Sequence, residues 1–235
     1  MNRIRNGVKY YKYDIKEHNF VSLLCDLFKI DNLSLIHEKI NNLESLNVFT
    51  NDNDDKTVIH EIFYKRLNSG WQEFEQTYQT FIEHNIKNVF NVNEIIYQSK
   101  PTFRVHLPGN IAVGGSGDIS NPEYGWHKDT DPEYNHPPFE KNFIIPITNA
   151  SENSSVYIET KPGSNEFHSA DMVLGEYFQF NGGYCRHGNK INDTEYTRVS
   201  FDFRIVLPDD YSEDYIKESK LSSKKFIIGE YYEKL

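Results

Sequence analysis

The stretch "TRVSFDFRIV", Thr197 to Val206, decides the fold. Successive side chains of an extended chain point to opposite sides. Arg198, Ser200, Asp202 and Arg204 therefore share one face of a strand, and Val199, Phe201, Phe203 and Ile205 share the other. The apolar face is suited to a core. The other carries four polar groups, so it either meets solvent or lines a polar cavity. Short β-rich runs precede it: "EIIYQSKPTFRVHLPG", broken by Pro101 and Pro108, then "NFIIPIT", "SSVYIET" and "EYFQFNGGYC". Gly, Pro, Asn and Ser punctuate these runs at intervals that suit an antiparallel sandwich.

Upstream of about residue 94 the chain reads mostly as helix. Leu33, Ile36, Ile40, Leu43 and Leu46 recur at helical spacing, with Asp31 or Asn32 as cap. Phe74, Tyr78, Phe81 and Ile82 form a second stripe, with Ser69 as its N-cap. Both stripes read as core-facing. Asn51 to Lys56 is an acidic loop, and Gly114-Gly115-Ser116-Gly117 is a flexible one that matches no nucleotide-binding pattern. The segment after Asp209 is charged and Tyr-rich, and its "KKFIIGEYYEKL" either adds a last strand or drapes over the domain. The chain divides into a helical region, 1–93, packed on a β domain, 94–235, as one globular unit.

Composition narrows the function. A chain of 235 residues can bury a core without staples. Net charge is −10 and no basic run tracks phosphates, which disfavours nucleic acid. Mean hydropathy is −0.68 and no apolar run is long enough for a membrane span. The first residues lack the apolar core of a signal peptide, and Cys25 and Cys185 make no disulfide framework. A soluble, reduced, cytoplasmic protein is expected, and its oligomeric state is not legible.

The pair His127 and Asp129 means little alone, since the numbers of histidines and acids in the chain predict about one His-x-acid by chance. Its partners change that. His187 follows a strand-like "EYFQF" and an Asn181-Gly182-Gly183 turn, and Arg198 comes eleven residues later in the chain's only Arg-x-Ser. Two imidazoles and one carboxylate on one face of an iron leave three positions open. A ketoacid can fill two and dioxygen the third. The far carboxylate of such an acid needs a planar, two-pronged cation, which arginine supplies better than lysine.

The order "FRVHLPGN", "WHKDTDPEYNHPPFEKNFIIPIT", "VYIET" and "HGNKINDTEYTRVSFDFRI" resembles the iron(II)- and 2-oxoglutarate-dependent oxygenases, in their streptomycin-biosynthesis-type and phytanoyl-hydroxylase-like branch. The resemblance covers about Thr102 to Pro208 and leaves the first hundred residues unmatched. It implies a mainly β fold with helical additions, a double-stranded β-helix (jelly roll, cupin-like). It implies His127, Asp129 and His187 as iron ligands, and 2-oxoglutarate held by Arg198 with help from Ser200. Family members often place a ketoacid-binding polar residue where Asn142 stands, though Asn142 reads equally as a turn or cap residue. Substrate candidates are Arg104 and His106, which share a strand face, Trp126 beside the first ligand, and Arg204, which also competes with Arg198 for the ketoacid. His136 reads as a loop histidine near the entrance, and Glu159 as facing substrate or solvent. The remaining histidines, 18, 37, 60, 84 and 168, read as surface or core polar groups.

The activity implied is dioxygen-dependent hydroxylation of an unactivated C–H in a small polar metabolite: an amino acid, amino sugar or nucleotide-linked sugar. Ascorbate would serve as a reductant. Desaturation or ring closure uses the same ligand set. A cupin-like metal enzyme without ketoacid and a non-catalytic binding module are the rivals from other classes. Turnover of 2-oxoglutarate and anaerobic iron titration discriminate them.

Overall fold

A computed structural model of the chain describes residues 3–39, 57–112, 121, 123, 125–215, 217–218 and 224–235. The alternating stretch forms the central strand, β10 (Arg198–Val206). β5 (Lys141–Pro146) runs antiparallel along one edge, with Arg204 opposite Asn142 and Ser200 opposite Pro146. Two short strands divide the other edge: β4 (Thr102–His106) pairs with its first half and β3 (Ile96–Gln98) with its end. The prolines expected to break this region do so, since Pro101 falls between the two strands.

Beyond β5 lie β8 (Glu176–Phe180) and then β2 (Val8–Lys12) and β1 (Arg3–Arg5). β11 (Tyr232–Lys234) closes the other side against β3, so the C-terminal run both adds a strand and packs Phe226 and Tyr231 beside it. A second sheet of three strands, β7 (Phe167–Ser169), β6 (Tyr157–Glu159) and β9 (His187–Gly188), faces the first. Val8, Ile144 and Phe178 of the large sheet pack against Val156, Ile158 and Met172 in one apolar cluster.

The two faces of β10 separate as their chemistry requires. Val199, Phe201, Phe203 and Ile205 are fully buried and pack on helices α1 (Phe20–Phe28), α3 (Val58–Asn68) and α4 (Gln72–Phe81) through Phe20, Phe63, Phe74 and Phe81. Phe63 stacks on Phe103 at 4.3 Å between ring centroids, and Phe143 on Phe203 at 5.4 Å. The polar face is turned inward as well: Arg198, Ser200 and Arg204 are 3, 0 and 8 % exposed. Of the two options the sequence left open, the polar cavity is the one realised.

Two expectations need correction and one an addition. The region before 94, expected to be mostly helical, also holds a hairpin of β1 and β2 that extends the large sheet. Its two-residue turn, Asn6-Gly7, has φ of 50° and 80°, the conformation that Asn-Gly adopts at low cost. Ser69 does not start α4; its backbone N–H and hydroxyl close the C-terminus of α3, and Trp71 precedes α4. The helix expected from Leu33 is at first a 3-10 turn, Leu33–Leu35, capped by Asn32, and then α2 (Ile36–Lys39). Ile40, Leu43, Leu46, the acidic loop and the glycine loop at 114–117 lie outside the described residues. After α4 the chain passes through a π-helical turn, Ile82–Ile86, into α5 (Lys87–Phe90).

Candidate metal centre

The segment carrying His127 and Asp129 runs antiparallel to the one carrying His187. His127 and His187 exchange backbone N–H···O bonds of 3.0 and 2.9 Å, and the Asp129 N–H donates to the Gly182 carbonyl at 2.9 Å. This backbone ladder turns all three side chains to one point. Their donor atoms lie within 4.8 Å of one another. His127 Nε2 and His187 Nε2 are 3.6 and 3.5 Å from Asp129 Oδ1.

Hydrogen bonding fixes what these atoms can do. His127 Nδ1 lies 2.8 Å from the Gly125 carbonyl, and His187 Nδ1 lies 3.1 Å from the Cys185 carbonyl. A carbonyl only accepts, so each Nδ1 carries a proton, and in the neutral ring Nε2 is the atom left to present a lone pair. Burial lowers the His127 pKa, which keeps that ring neutral. Asp129 Oδ1 is buried with no hydrogen-bond partner. Three acceptors thus converge with no donor among them, and a cation is the group that satisfies them.

The other oxygen of Asp129 is held firmly. Oδ2 accepts from Asn142 Nδ2 at 2.5 Å and from Arg204 Nε at 2.9 Å, and Arg204 Nη2 lies 2.8 Å away. Burial works against the charge on this carboxyl, but the Arg204 guanidinium holds it well below the usual carboxylate range. Asn142 is itself clamped, because the Gly182 N–H donates to its Oδ1 at 3.1 Å. A Cβ on Gly182 would meet the Asn142 amide at 2.8 Å, so the glycine permits this approach.

His127 and His187 line a cleft between the two sheets. Arg198, Asp202 and Arg204 of β10, Arg104 of β4 and Asn189 beyond β9 supply its polar wall. Arg104 Nε donates to Asp202 Oδ2 at 2.9 Å. Ser200 Oγ is fully buried and has no hydrogen-bond partner among the described residues. Arg198 and Ser200 therefore stand on one buried face, as the alternation required.

Arg204 and Asn142 also line the cleft, and both engage Asp129 Oδ2. His106 is fully buried, with Nδ1 and Nε2 at 3.1 and 2.8 Å from the carbonyls of Ser154 and Asn110. Trp126 stacks on Tyr157 and donates from Nε1 to the Asn189 carbonyl, and a Cβ at Gly188 would lie 2.1 Å from its ring. It supports the strand of His187 rather than the cleft. His136 is not at an entrance: it is 5 % exposed and its Nδ1 lies 2.7 Å from Glu140 Oε2. Glu159 is buried, and its carboxylate accepts the backbone N–H of Asn165 and of Arg186. Glu140 and Gly188 were not legible as site residues. The glycine beside His187 was visible in "RHGN" but carried no signal without Trp126.

Comparison with known proteins agrees with this geometry. No protein-family model matches the chain. The streptomycin biosynthesis protein StrG of Streptomyces griseus is 31 % identical over 222 residues, covering 94 % of this chain and 96 % of StrG. Among solved structures, the non-heme α-ketoglutarate-dependent carbocyclase SnoK from nogalamycin biosynthesis superposes with a TM-score of 0.51 at 9 % identity, covering 97 % of this chain and 92 % of that one. AviO1 from Streptomyces viridochromogenes gives a TM-score of 0.42 at 10 % identity, with 88 and 93 % covered. The chain belongs to the family of the streptomycin biosynthesis protein StrG, and its fold is that of SnoK.

Proposed function

We propose that the protein hydroxylates an unactivated C–H of a small polar metabolite, with His127, Asp129 and His187 holding iron(II) and Arg198 and Ser200 holding 2-oxoglutarate. The observation that carries this reading is the convergence of Asp129 Oδ1 and two imidazole lone pairs with no donor between them. A facial set of two histidines and one carboxylate leaves room for ketoacid and dioxygen. When bound, the iron and ketoacid supply the oxidising chemistry, ketoacid decarboxylation to succinate included. The chain's part is to orient the ligands, hold the ketoacid and exclude water.

The polar wall formed by Arg104, Asp202 and Asn189 suits a substrate with hydroxyl or amino groups, and StrG's place in streptomycin biosynthesis fits a biosynthetic setting. Ring closure is the second reading, because SnoK is a carbocyclase. No helix among the described residues is long and apolar enough to cross a membrane.

The test is a succinate-formation screen over amino acids, amino sugars and nucleotide-linked sugars, with iron(II), 2-oxoglutarate and ascorbate. Product mass separates the readings: a gain of one oxygen means hydroxylation, and a loss of two hydrogens means cyclisation or desaturation. His187→Ala and Asp129→Ala are expected to lose both bound iron and succinate. Full iron occupancy and turnover in His187→Ala would refute the triad.

A further inference from the structure

Behind Asp129 lies a buried group of residues that the oxygenase reading does not use. Glu140 leaves 3 % of its side chain exposed, and its Oε2 lies 2.7 Å from His136 Nδ1 and 3.8 Å from Arg204 Nε. Its Oε1 accepts from the hydroxyl of Tyr232, in β11. Arg204, 10 % exposed, reaches Asp129 Oδ2 from the same side. A full positive charge thus sits one carboxylate away from the point where a divalent cation would bind. Left alone in a buried site it would repel that cation.

We propose that Glu140 is a positioning and charge-balancing residue of the metal centre. It holds the Arg204 guanidinium against Asp129 Oδ2, so that Oδ1 alone faces the ion, and it offsets the charge that Arg204 brings. His136 and Tyr232 fix Glu140 in turn, which links β11 to the metal ligand. Partners of ligating groups that set their orientation commonly change metal affinity by about 10–100-fold. The same atoms also meet the distance requirement for a second ion on Asp129, His136 and Glu140. Arg204 argues against one, since its Nε lies 2.9 Å from Asp129 Oδ2 and 3.8 Å from Glu140 Oε2.

The inference rests on the metal assignment above, and its test reads metal binding without catalysis. Apo-protein is titrated with manganese(II), and the free ion is counted by electron paramagnetic resonance. Wild type, Glu140→Gln, Arg204→Lys and Tyr232→Phe are compared, with His187→Ala as control and circular dichroism to verify folding. Glu140→Gln is expected to bind one ion about 10–100-fold more weakly than wild type. Tyr232→Phe, which keeps the ring, should shift affinity less and in the same direction. Affinity for 2-oxoglutarate at saturating manganese should not change in either. Wild-type affinity in both Glu140→Gln and Tyr232→Phe, beside a His187→Ala that has lost the ion, overturns the charge-balancing role alone. Two ions bound by wild type overturn it as well. Undiminished binding by His187→Ala overturns the metal centre itself, and this proposal with it.

Discussion

Arg198 opens β10 almost completely buried, on the same inward face as Ser200 and at the wall of the cleft that His187 also lines. If it grips the far carboxylate of 2-oxoglutarate through two parallel charge-assisted bonds, its removal leaves a buried anion unpaired. That costs on the order of 3–5 kcal/mol, and each 1.4 kcal/mol is about tenfold in affinity. Arg198→Ala is therefore expected to weaken 2-oxoglutarate binding by roughly two to three orders of magnitude, with metal binding intact. Arg198→Lys should recover part of the loss, because an ammonium lacks the planar fork. The dissociation constant can be read anaerobically from the metal-to-ligand charge-transfer band. Arg204 is the contrasting case. Its position six residues on made it a competitor for the ketoacid, but its partner is Asp129, 75 residues upstream. Strand alternation places both arginines on one face and says nothing of what each meets there. That is why the convergence of His127, Asp129 and His187 and the buried placement of Arg198 were legible from order and spacing, while the contacts of Arg204, Asn142 and Glu140 were not.

At the scale of the element, β10 does two jobs with two faces. Phe201, fully buried, meets Phe20, Phe63, Phe74 and Phe103 on its outer side. Phe201→Ala should cost about 3–5 kcal/mol of stability, measured by urea unfolding. Ser200, its neighbour on the inner side, has a hydroxyl with no partner among the described residues, so Ser200→Ala should leave stability unchanged or slightly higher and weaken 2-oxoglutarate binding. Equal stability losses for the two substitutions would contradict the division of faces. The same strand shows what sequence could reveal about the fold. Its alternation was local and therefore readable. The hairpin of β1 and β2 carried an equally good local signal in Asn6-Gly7, but its sheet partner, β8, lies far along the chain, and the helical stripes that follow masked it. Ser69 was misplaced for a different reason: as a capping residue it suits either end of a helix, and Gly70 beside it ends α3 before α4 begins.

For the whole molecule, the sandwich buries polar groups whose ionisation differs between folded and unfolded chains. His106 is the clearest. Burial, and then the nearby Arg198 charge, lower its pKa to about 3 from an ordinary value of 6.5, against the pull of backbone groups of Asn110, Ser154 and Lys190. A histidine depressed in this way stays neutral when folded, donating to one of its two carbonyl neighbours only, and takes up a proton when unfolded, so it destabilises the fold as pH drops through 6.5 towards 3. The loss approaches about 1.4 kcal/mol per pH unit within that window. The urea midpoint of wild type should therefore fall more steeply between pH 7 and pH 5 than that of His106→Gln. Equal slopes would mean that His106 is charged in the folded protein.

The order of strands in the large sheet also has a consequence in time. Lys9 pairs with Gln179 and Ile205 with Tyr97, so neighbours in space are remote along the chain. Folds built on such distant pairings reach the native state in milliseconds to seconds rather than microseconds, because long loops must close before any contact rewards them. The side chains of His127, Asp129 and His187 converge only when the 127–129 and 182–187 segments have paired, which would place ion capture after the slow step. Interactions absent from the folding transition state slow unfolding and leave folding unchanged. In stopped-flow experiments, manganese(II) should leave the refolding limb where it was and lower the unfolding limb. Once loaded, the protein would hold its ion by being slow to open rather than quick to form.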